Sequence, residues 1–254
     1  MLRLIWLAVV ALFMTIPVAT ATIVIAAIQS TSPWIDRLIR LWARSLVAAA
    51  GIELRTENMQ TIDPAKRYIL VSNHYSYLDI PCILSAVPQP IRFMAKISLF
   101  KIPIFGWAIN RAGFIPIDRK NRRTAVKSFD LAAERIRKGN TIVIFPEEGR
   151  SRHREMRPFQ RGAFLLAIKS GQTIVPMSIN TYDIWPATSW RVKGGVVTLK
   201  VGTPIETEGV SVREKEKLAE QSRAQIQMML FGDATPAPPS HSTDPSPAAS
   251  EDPA

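Results

Sequence analysis

The chain has 254 residues, a formal net charge of +11 and one cysteine, Cys82. This length is enough for one α/β domain with an appendage and for a core that folds without cross-links, and a single cysteine excludes an internal disulfide framework. The positive charge favours an anionic partner, such as anionic lipid, nucleic acid or a phosphorylated substrate. Nucleic acid fits least well, because the sequence has no recognisable nucleic-acid-binding motif and no basic stripe interleaved with aromatic residues.

The first part of the chain is strongly apolar. Residues 4–28 carry no charged side chain, and at about 1.5 Å per residue a helix of this length can cross a hydrocarbon core of about 30 Å. We therefore predict a membrane segment, either a span kinked at Pro17 or two shorter helices that enter one leaflet. A cleaved signal peptide is the alternative, since Ala19-Thr20-Ala21 resembles a cleavage site.

The next segment, residues 32–50, has apolar positions at helical spacing. This pattern predicts an amphipathic helix on the membrane surface. The basic residues of this flank place it on the cytoplasmic side of the membrane. The residues that suit a membrane interface are Trp34, Trp42, Arg37, Arg40 and Arg44.

From residue 51 onward, short β-prone apolar runs alternate with helical patterns. Such alternation predicts an α/β fold with a largely parallel or mixed sheet of about seven strands and helices on both faces. The strands are predicted at 52–55, 68–72, 91–95, 113–117, 141–145, 174–179 and 196–201, and the longer helices at 124–138, 159–170 and 211–230.

The chain therefore divides into three parts. Residues 1–50 form the membrane-associated helical segment, and residues 51–231 form the α/β domain. Residues 232–254 contain six prolines and no lysine or arginine. They lack the apolar residues that would offset the entropy of ordering, so we predict a disordered tail.

The stretch Asn73-His74-Tyr75-Ser76-Tyr77-Leu78-Asp79 follows a predicted strand and precedes a helix. Pro81 is tolerated only in the first turn of a helix, so this helix should start near Leu78 or Asp79, with His74 in the loop before it. From that position Asp79 can accept the Nδ1 proton of His74 and leave Nε2 free to take a proton. The stretch therefore predicts a general base at the carboxyl end of a strand. The helix also contains Cys82, whose apolar surroundings predict a buried structural thiol.

Three more stretches follow in order. They are the segment from Lys96 to Arg119, the segment Phe145-Pro146-Glu147-Glu148-Gly149-Arg150-Ser151, and Ile174-Val175-Pro176-Met177. Together with the His74 stretch they resemble the four sequence blocks of the glycerolipid acyltransferases, most closely the 1-acylglycerol-3-phosphate (lysophosphatidic acid) acyltransferases. The resemblance covers about residues 68–177.

The resemblance implies roles for single residues. His74 and Asp79 would be catalytic, and Arg119, Glu147 and Arg150 would hold the acceptor head group, since arginine binds phosphate by paired hydrogen bonds. Lys96 would stabilise the oxyanion, with Lys101 as the competing candidate. For Arg119 a solvated surface arginine is the alternative, and for Glu147 a structural ion pair with Arg150. The substrate-binding set is Asn73, Arg119, Glu147, Gly149, Arg150 and Ser151.

One position departs from the family pattern. The family has glycine and threonine where this chain has Glu148 and Gly149. Glutamate carries a Cβ and lacks glycine's freedom at positive φ, so we expect either a different turn or a positive φ at Gly149. A carboxylate beside a phosphate site also repels an anionic head group, which leaves the acceptor open.

The implied activity is acyl transfer to the sn-2 hydroxyl of lysophosphatidic acid, which gives phosphatidic acid in phospholipid biosynthesis. Acyl-CoA or acyl carrier protein would be the co-substrate, with no resident cofactor and no metal, since His74, His153 and His241 are far apart in the sequence. The expected location is the inner membrane, with the active site on the cytoplasmic side. The alternatives are another acceptor (glycerol 3-phosphate, another lysophospholipid or a lyso-aminolipid) and a non-catalytic protein that binds anionic membranes. The absence of a G-x-S-x-G motif disfavours a hydrolase.

Overall fold

The structure, a computed structural model, describes residues 1–118 and 122–232. Arg119 and residues 233–254 of the predicted tail lie outside the described residues. The elements in chain order are α1 (Leu2–Ile28), α2 (Pro33–Ala49), β1 (Ile52–Glu57), β2 (Ile69–Ser72), α3 (Asp79–Ala86), β3 (Ile91–Lys96), α4 (Phe105–Arg111), β4 (Ile115–Ile117), α5 (Arg122–Arg137), β5 (Thr141–Ile144), α6 (Gly162–Ser170), β6 (Ile174–Ile179), β7 (Gly195–Val201) and α7 (Lys215–Phe231).

The strands form one sheet in the order β1-β7-β6-β2-β5-β3-β4. β6, β2, β5, β3 and β4 are parallel, whereas β7 is antiparallel to β6 and β1 is parallel to β7. This confirms the predicted mixed and largely parallel sheet. The carboxyl ends of the five parallel strands and the starts of β1 and β7 meet at one edge of the sheet, which we call the site edge.

Helices cover both faces of the sheet. Because side chains alternate along a strand, Leu70 of β2 packs into one core cluster, and its neighbours Ile69 and Val71 pack into another. The first cluster includes residues of α2, α3 and α4, and the second includes residues of α5, α6 and α7. Both faces are therefore buried, which explains the near-continuous apolar composition of the central strands.

α1 is one continuous helix through Pro17, so the alternative of two short helices is wrong. It is long and apolar enough to cross a membrane. It packs against α2 and α4, and Trp42 of α2 donates a hydrogen bond to the Thr15 hydroxyl at 2.9 Å. Trp42 therefore joins the two helices.

Arg40 of α2 has a structural role as well. Its guanidinium donates to the carbonyls that follow α3, those of Val87 at 2.5 Å and Pro88 at 2.8 Å. Four carbonyls at the end of a helix have no partner within the helix, and for α3 Arg40 donates to two of these, those of Leu84 and Val87. Its position at the membrane interface stays a prediction.

The sequence did not indicate α4, and the turn before it explains why. Ile104 has φ +63° and ψ −60°, and the Phe105 N–H donates to the Pro103 carbonyl at 2.6 Å, which is a classic γ-turn. A Cβ at Gly106 would overlap the Phe100 carbonyl. The pattern of apolar residues along the chain does not record a positive φ or a close backbone contact, so it did not indicate where α4 starts.

Candidate active site

His74 lies in the loop between β2 and α3, and Asp79 is the first residue of α3. The His74 Nδ1 and Asp79 Oδ2 atoms are 2.7 Å apart. The predicted helix start and the predicted contact between these two side chains are both confirmed. Cys82, one turn further along α3, is fully buried, and burial raises the pKa of its thiol.

Asp79 is fully buried and receives four hydrogen bonds. Its Oδ2 atom accepts from His74 and from the backbone N–H groups of Tyr75 at 2.7 Å and Ser76 at 2.9 Å. Its Oδ1 atom accepts from the Thr181 hydroxyl. An ionised carboxylate is only an acceptor, so it fixes the proton of His74 on Nδ1 and leaves Nε2 as the basic nitrogen.

The imidazole of His74 is held from its face as well. It stacks on the Phe145 ring with the centroids 4.0 Å apart and an angle of 12° between the planes. Its side chain keeps 14% exposure. In the described part of the chain no group hydrogen-bonds to Nε2, so this nitrogen is available to a substrate hydroxyl.

Glu147 connects the loop after β5 to the loop that carries His74. It is 2% exposed, and its carboxylate accepts from the His74 N–H at 2.8 Å and the Arg157 N–H at 2.7 Å. The Ser151 hydroxyl donates to the same carboxylate, and the Ser151 N–H donates to the His74 carbonyl at 2.8 Å. Glu147 and Ser151 thus hold the two loops together, in place of the Glu147–Arg150 ion pair that we considered.

Burial raises the pKa of the Glu147 carboxyl above its ordinary value, and the hydrogen bonds that it accepts oppose this rise only in part. Asn73 is also fully buried. Its carboxamide bonds the backbone of Ile179 in both directions at 2.9 Å, which ties the end of β2 to the end of β6. Glu147 and Asn73 therefore both hold the backbone around His74 in place.

Arg150 lies on the open side of these loops. Its guanidinium carbon is 3.5 Å from the centroid of the Tyr77 ring. The Tyr77 and Trp185 rings are neighbours in turn, with their centroids 5.3 Å apart. Stacking occupies the face of a guanidinium and leaves its in-plane N–H donors for an anion. The structure therefore places the Arg150 guanidinium against the loop that carries His74.

The turn after Glu147 corrects our expectation for Glu148 and Gly149. Glu148 itself adopts φ +56°, whereas Gly149 is not among the described residues with positive φ. A glutamate thus occupies a left-handed conformation that costs about 1 kcal/mol or more without glycine. Its side chain is exposed.

Lys96 ends β3, and its side chain is exposed. Phe93 pairs with Val143 and Val71 with Ile144, so Lys96 lies level with the residues just beyond β5. β3 is two strands from β2, about 10 Å at the usual spacing. The structure thus brings His74, Lys96, Glu147 and Arg150 to the site edge.

Thr181 is a residue that our sequence analysis missed. It follows β6 by two positions and is fully buried against Asp79. A signal was available, because 174–179 was a predicted parallel strand and the residues just after such a strand lie at the site edge. Among residues 1–118 and 122–232, no group of three or more His, Cys, Asp or Glu side chains is arranged to hold a metal ion.

The comparisons with known proteins agree with this geometry. A family model described as Acyltransferase matches residues 53–180. A 1-acyl-sn-glycerol-3-phosphate acyltransferase from Brassica napus chloroplasts is 37% identical over 59% of this chain and 43% of its own length. The enzyme of that name from Pseudomonas aeruginosa is 27% identical over 74% of this chain and 75% of its own.

A solved structure is also similar. The crystal structure of the 1-acyl-sn-glycerophosphate (LPA) acyltransferase PlsC from Thermotoga maritima superposes with a TM-score of 0.70 and 26% identity, over 89% of this chain and 97% of that one. The chain spans about half the length of the plant relatives that it matches.

Proposed function

Because the chain belongs to the acyltransferase family, we propose that it transfers an acyl group from a thioester to the sn-2 hydroxyl of lysophosphatidic acid and so makes phosphatidic acid. The observation that carries this proposal is the 2.7 Å contact between His74 and Asp79 at the site edge. The names of the Brassica, Pseudomonas and Thermotoga relatives support the choice of acceptor.

His74 is the proposed general base. Its Nε2 atom takes the proton of the sn-2 hydroxyl while the hydroxyl oxygen attacks the thioester carbonyl carbon. The carbon–sulfur bond then breaks, and the departing thiolate takes the proton from the imidazole. Asp79 keeps the imidazole in the required tautomer and stabilises its protonated form.

Lys96 is the proposed oxyanion group. During the attack the carbonyl oxygen becomes negative, and an ammonium close to it stabilises that charge. Lys96 is supported by its place at the end of β3, level with the loop that follows β5. Lys101, also exposed on the same connection, is the comparison residue.

Arg150 and Arg119 are the proposed ligands of the acceptor phosphate. Arg150 is supported by its stacked position on Tyr77, three residues from His74. Arg119, outside the described residues, is supported by the family resemblance. Asn73, Glu147, Gly149 and Ser151 support this group by shaping the two loops.

The donor and the location complete the proposal. The thioester is an acyl-CoA or an acyl carrier protein, with no resident cofactor. α1 holds the enzyme at the inner membrane with the site edge on the cytoplasmic side. Both the acyl chain and the lysolipid partition into this membrane. Another lysolipid is the second candidate acceptor, because the exposed Glu148 would repel the phosphomonoester of lysophosphatidic acid.

The test is an acylation assay on purified protein with labelled acyl-CoA and a panel of lysolipids. His74→Ala should reduce kcat/KM by about 10²- to 10⁴-fold. His153→Ala removes an exposed histidine of the connection from β5 to α6 and should leave kcat/KM unchanged. Lys96→Met should lower kcat, and Lys101→Met should not. If His74→Ala retains the wild-type rate, or if no lysolipid is acylated, the proposal is wrong.

A further inference from the structure

A recess of about 670 Å³ opens at the site edge between the start of α1 and the connection from β6 to β7. Its volume suits a head group of the size of a phosphoglycerol, since small-ligand sites measure about 300–1,000 Å³. None of the roles described above uses it. Its lining residues are Met1, Arg3, Ser189, Arg191, Val192, Lys193 and Gly194.

Two glycines make room for Arg3 in this recess. A Cβ at Gly194 would overlap the Arg3 guanidinium, and a Cβ at Gly51 would lie 3.3 Å from its central carbon. Gly51 and Gly194 immediately precede β1 and β7, which pair side by side. The guanidinium thus lies against Gly51 and Gly194, and a Cβ at position 194 would displace it.

The opposite wall is held in place by hydrogen bonds within the connection. The Lys193 N–H donates to the Ile184 carbonyl at 2.8 Å, and the Arg191 N–H donates to the Ser189 hydroxyl at 3.0 Å. The cationic side chains of Arg191 and Lys193 are therefore carried by an ordered backbone.

The charge in the recess is not neutralised. The lining contains Arg3, Arg191 and Lys193 and no carboxylate. Within residues 1–118 and 122–232 the observed ion pairs involve none of these three side chains. Three neighbouring cations without a counter-charge predict an anionic ligand, and arginine favours phosphate among anions.

The position of the recess indicates where the phosphate comes from. Arg3 belongs to the first turn of α1, whose apolar side chains such as Leu2 (86% exposed) are unpacked. Trp190, on the connection beside the recess, is 79% exposed. Exposed tryptophan and arginine at the end of an apolar helix are typical of the lipid head-group layer.

We propose that this recess binds the phosphate of an anionic phospholipid of the bilayer, at a site separate from the acceptor site. β7 is two strands from β2, so the recess lies about 10 Å or more along the site edge from His74. A bound lipid would hold the site edge against the membrane surface.

The test measures binding to vesicles and needs no turnover. His74→Ala protein is the background, so that failure of the proposed reaction leaves the measurement intact. Sedimentation is compared on phosphatidylcholine vesicles with and without phosphatidylglycerol. Replacing Arg3, Arg191 and Lys193 together by glutamine should weaken binding to the anionic vesicles about tenfold or more and leave binding to neutral vesicles unchanged.

A matched triple variant controls for net charge. Lys66→Gln, Lys169→Gln and Arg213→Gln also remove three exposed cations, but they lie before β2, before β6 and after β7, at the opposite edge of the sheet. This variant should keep most of the anionic preference. Gly194→Ala should weaken anionic binding without any change of charge, because it displaces Arg3. Equal losses in the two triple variants would mean non-specific attraction and would overturn the proposal.

Coenzyme A also carries phosphate groups and is the alternative ligand of the recess. Titration with coenzyme A should give the same affinity for the parent protein and for the Arg3, Arg191 and Lys193 variant. If that variant loses coenzyme A binding and keeps its preference for anionic vesicles, the recess holds a soluble phosphate and the lipid assignment is wrong.

Discussion

At the scale of single residues, the carboxylate of Asp79 is the most constrained group of the site. Three of its four donors come from the short stretch between His74 and Ser76, and the fourth is Thr181, more than a hundred residues later in the chain. The local stretch can therefore build the contact with His74 by itself. The Thr181 hydroxyl adds a restraint that depends on β6, and this makes Thr181 a positioning residue.

Thr181→Val should lower kcat/KM by about tenfold, since it leaves a buried carboxylate oxygen without a donor, at a cost of about 1–3 kcal/mol. Without that donor Asp79 holds the protonated imidazole more strongly, so the acidic limb of the pH–rate profile should move to higher pH. Thr181→Ser should restore both values, because it keeps the hydroxyl. A purely structural role would change stability and leave the profile in place.

The raised pKa of Glu147 predicts that the free energy of unfolding depends on pH. Burial raises the pKa of its carboxyl in the folded protein, so folding favours the protonated form. The wild-type advantage over Glu147→Gln in free energy of unfolding should be largest below about pH 4, near the unfolded pKa, and should fall as the pH rises through the folded pKa. Urea unfolding of both proteins across this range measures it. An advantage that grows with pH would show that the hydrogen bonds, and not burial, dominate.

Glu148 holds a conformation that glycine adopts without strain. Glu148→Gly should therefore raise the free energy of unfolding by up to about 1 kcal/mol, since it relieves the positive φ of +56°. Glu155→Gly, an exposed glutamate of the same connection whose φ is not positive, should give no gain. Thermal unfolding of the two variants makes the comparison, and equal effects would mean that the φ of Glu148 carries no strain.

At the scale of elements, α3 presents Asp79 at its start and is fixed at its end by Arg40. The Arg40 guanidinium reaches four carbonyls, those of Leu84, Val87, Pro88 and Gln89. The amphipathic helix α2 thus supports the helix that carries part of the site. Arg40 is thus a structural anchor between α2 and α3.

Arg40→Ala should destabilise the protein by about 1–3 kcal/mol, because several carbonyls at the end of α3 lose a charged donor. Arg44→Ala removes an exposed arginine one turn along the same helix and should change the stability by about 0.5 kcal/mol at most. Chemical denaturation of both variants tests this. Equal losses would show that the contacts of Arg40 contribute no more than those of a surface arginine.

At the scale of the whole molecule, α1 carries a large unpaired apolar surface beside a packed α/β domain. It touches α2 and α4 on one side, while side chains such as Phe13, which is 72% exposed, face away. The acyl substrates proposed for this enzyme partition into lipid. A helix that is only partly packed into the domain thus suits attachment to the same phase.

Phe13→Glu should release a large part of the protein from membranes, since a charge in the apolar centre of such a helix costs about 3 kcal/mol. The side chain points away from the domain, so the fold should remain intact. Val212→Glu adds the same charge at an exposed apolar position beyond β7 and should leave membrane attachment unchanged. Fractionation of cell extracts compares the two, and membrane recovery of Phe13→Glu equal to wild type would contradict the role of α1.

The sequence by itself determined the seven strands, most of the helices and half of the site. Apolar runs and helical periodicity located seven strands, and Pro81 located the start of α3 within a residue. His74 and Asp79 are five residues apart, so local geometry was enough to predict that they meet. The place of Arg150 at the site edge was likewise predictable, because it follows the predicted strand 141–145.

The tertiary structure decided what depends on contacts distant in sequence. Strand order put β5 next to β2, and this adjacency turned Glu147 into the buried link between two loops. Thr181 reaches Asp79 because β6 lies on the other side of β2, and Arg40 reaches α3 only after α2 has packed on the sheet. The γ-turn at Ile104 and the left-handed Glu148 run against the local preference of these residues, so the sequence did not predict them. Sequence periodicity records burial along one element, whereas these features arise where separate elements meet.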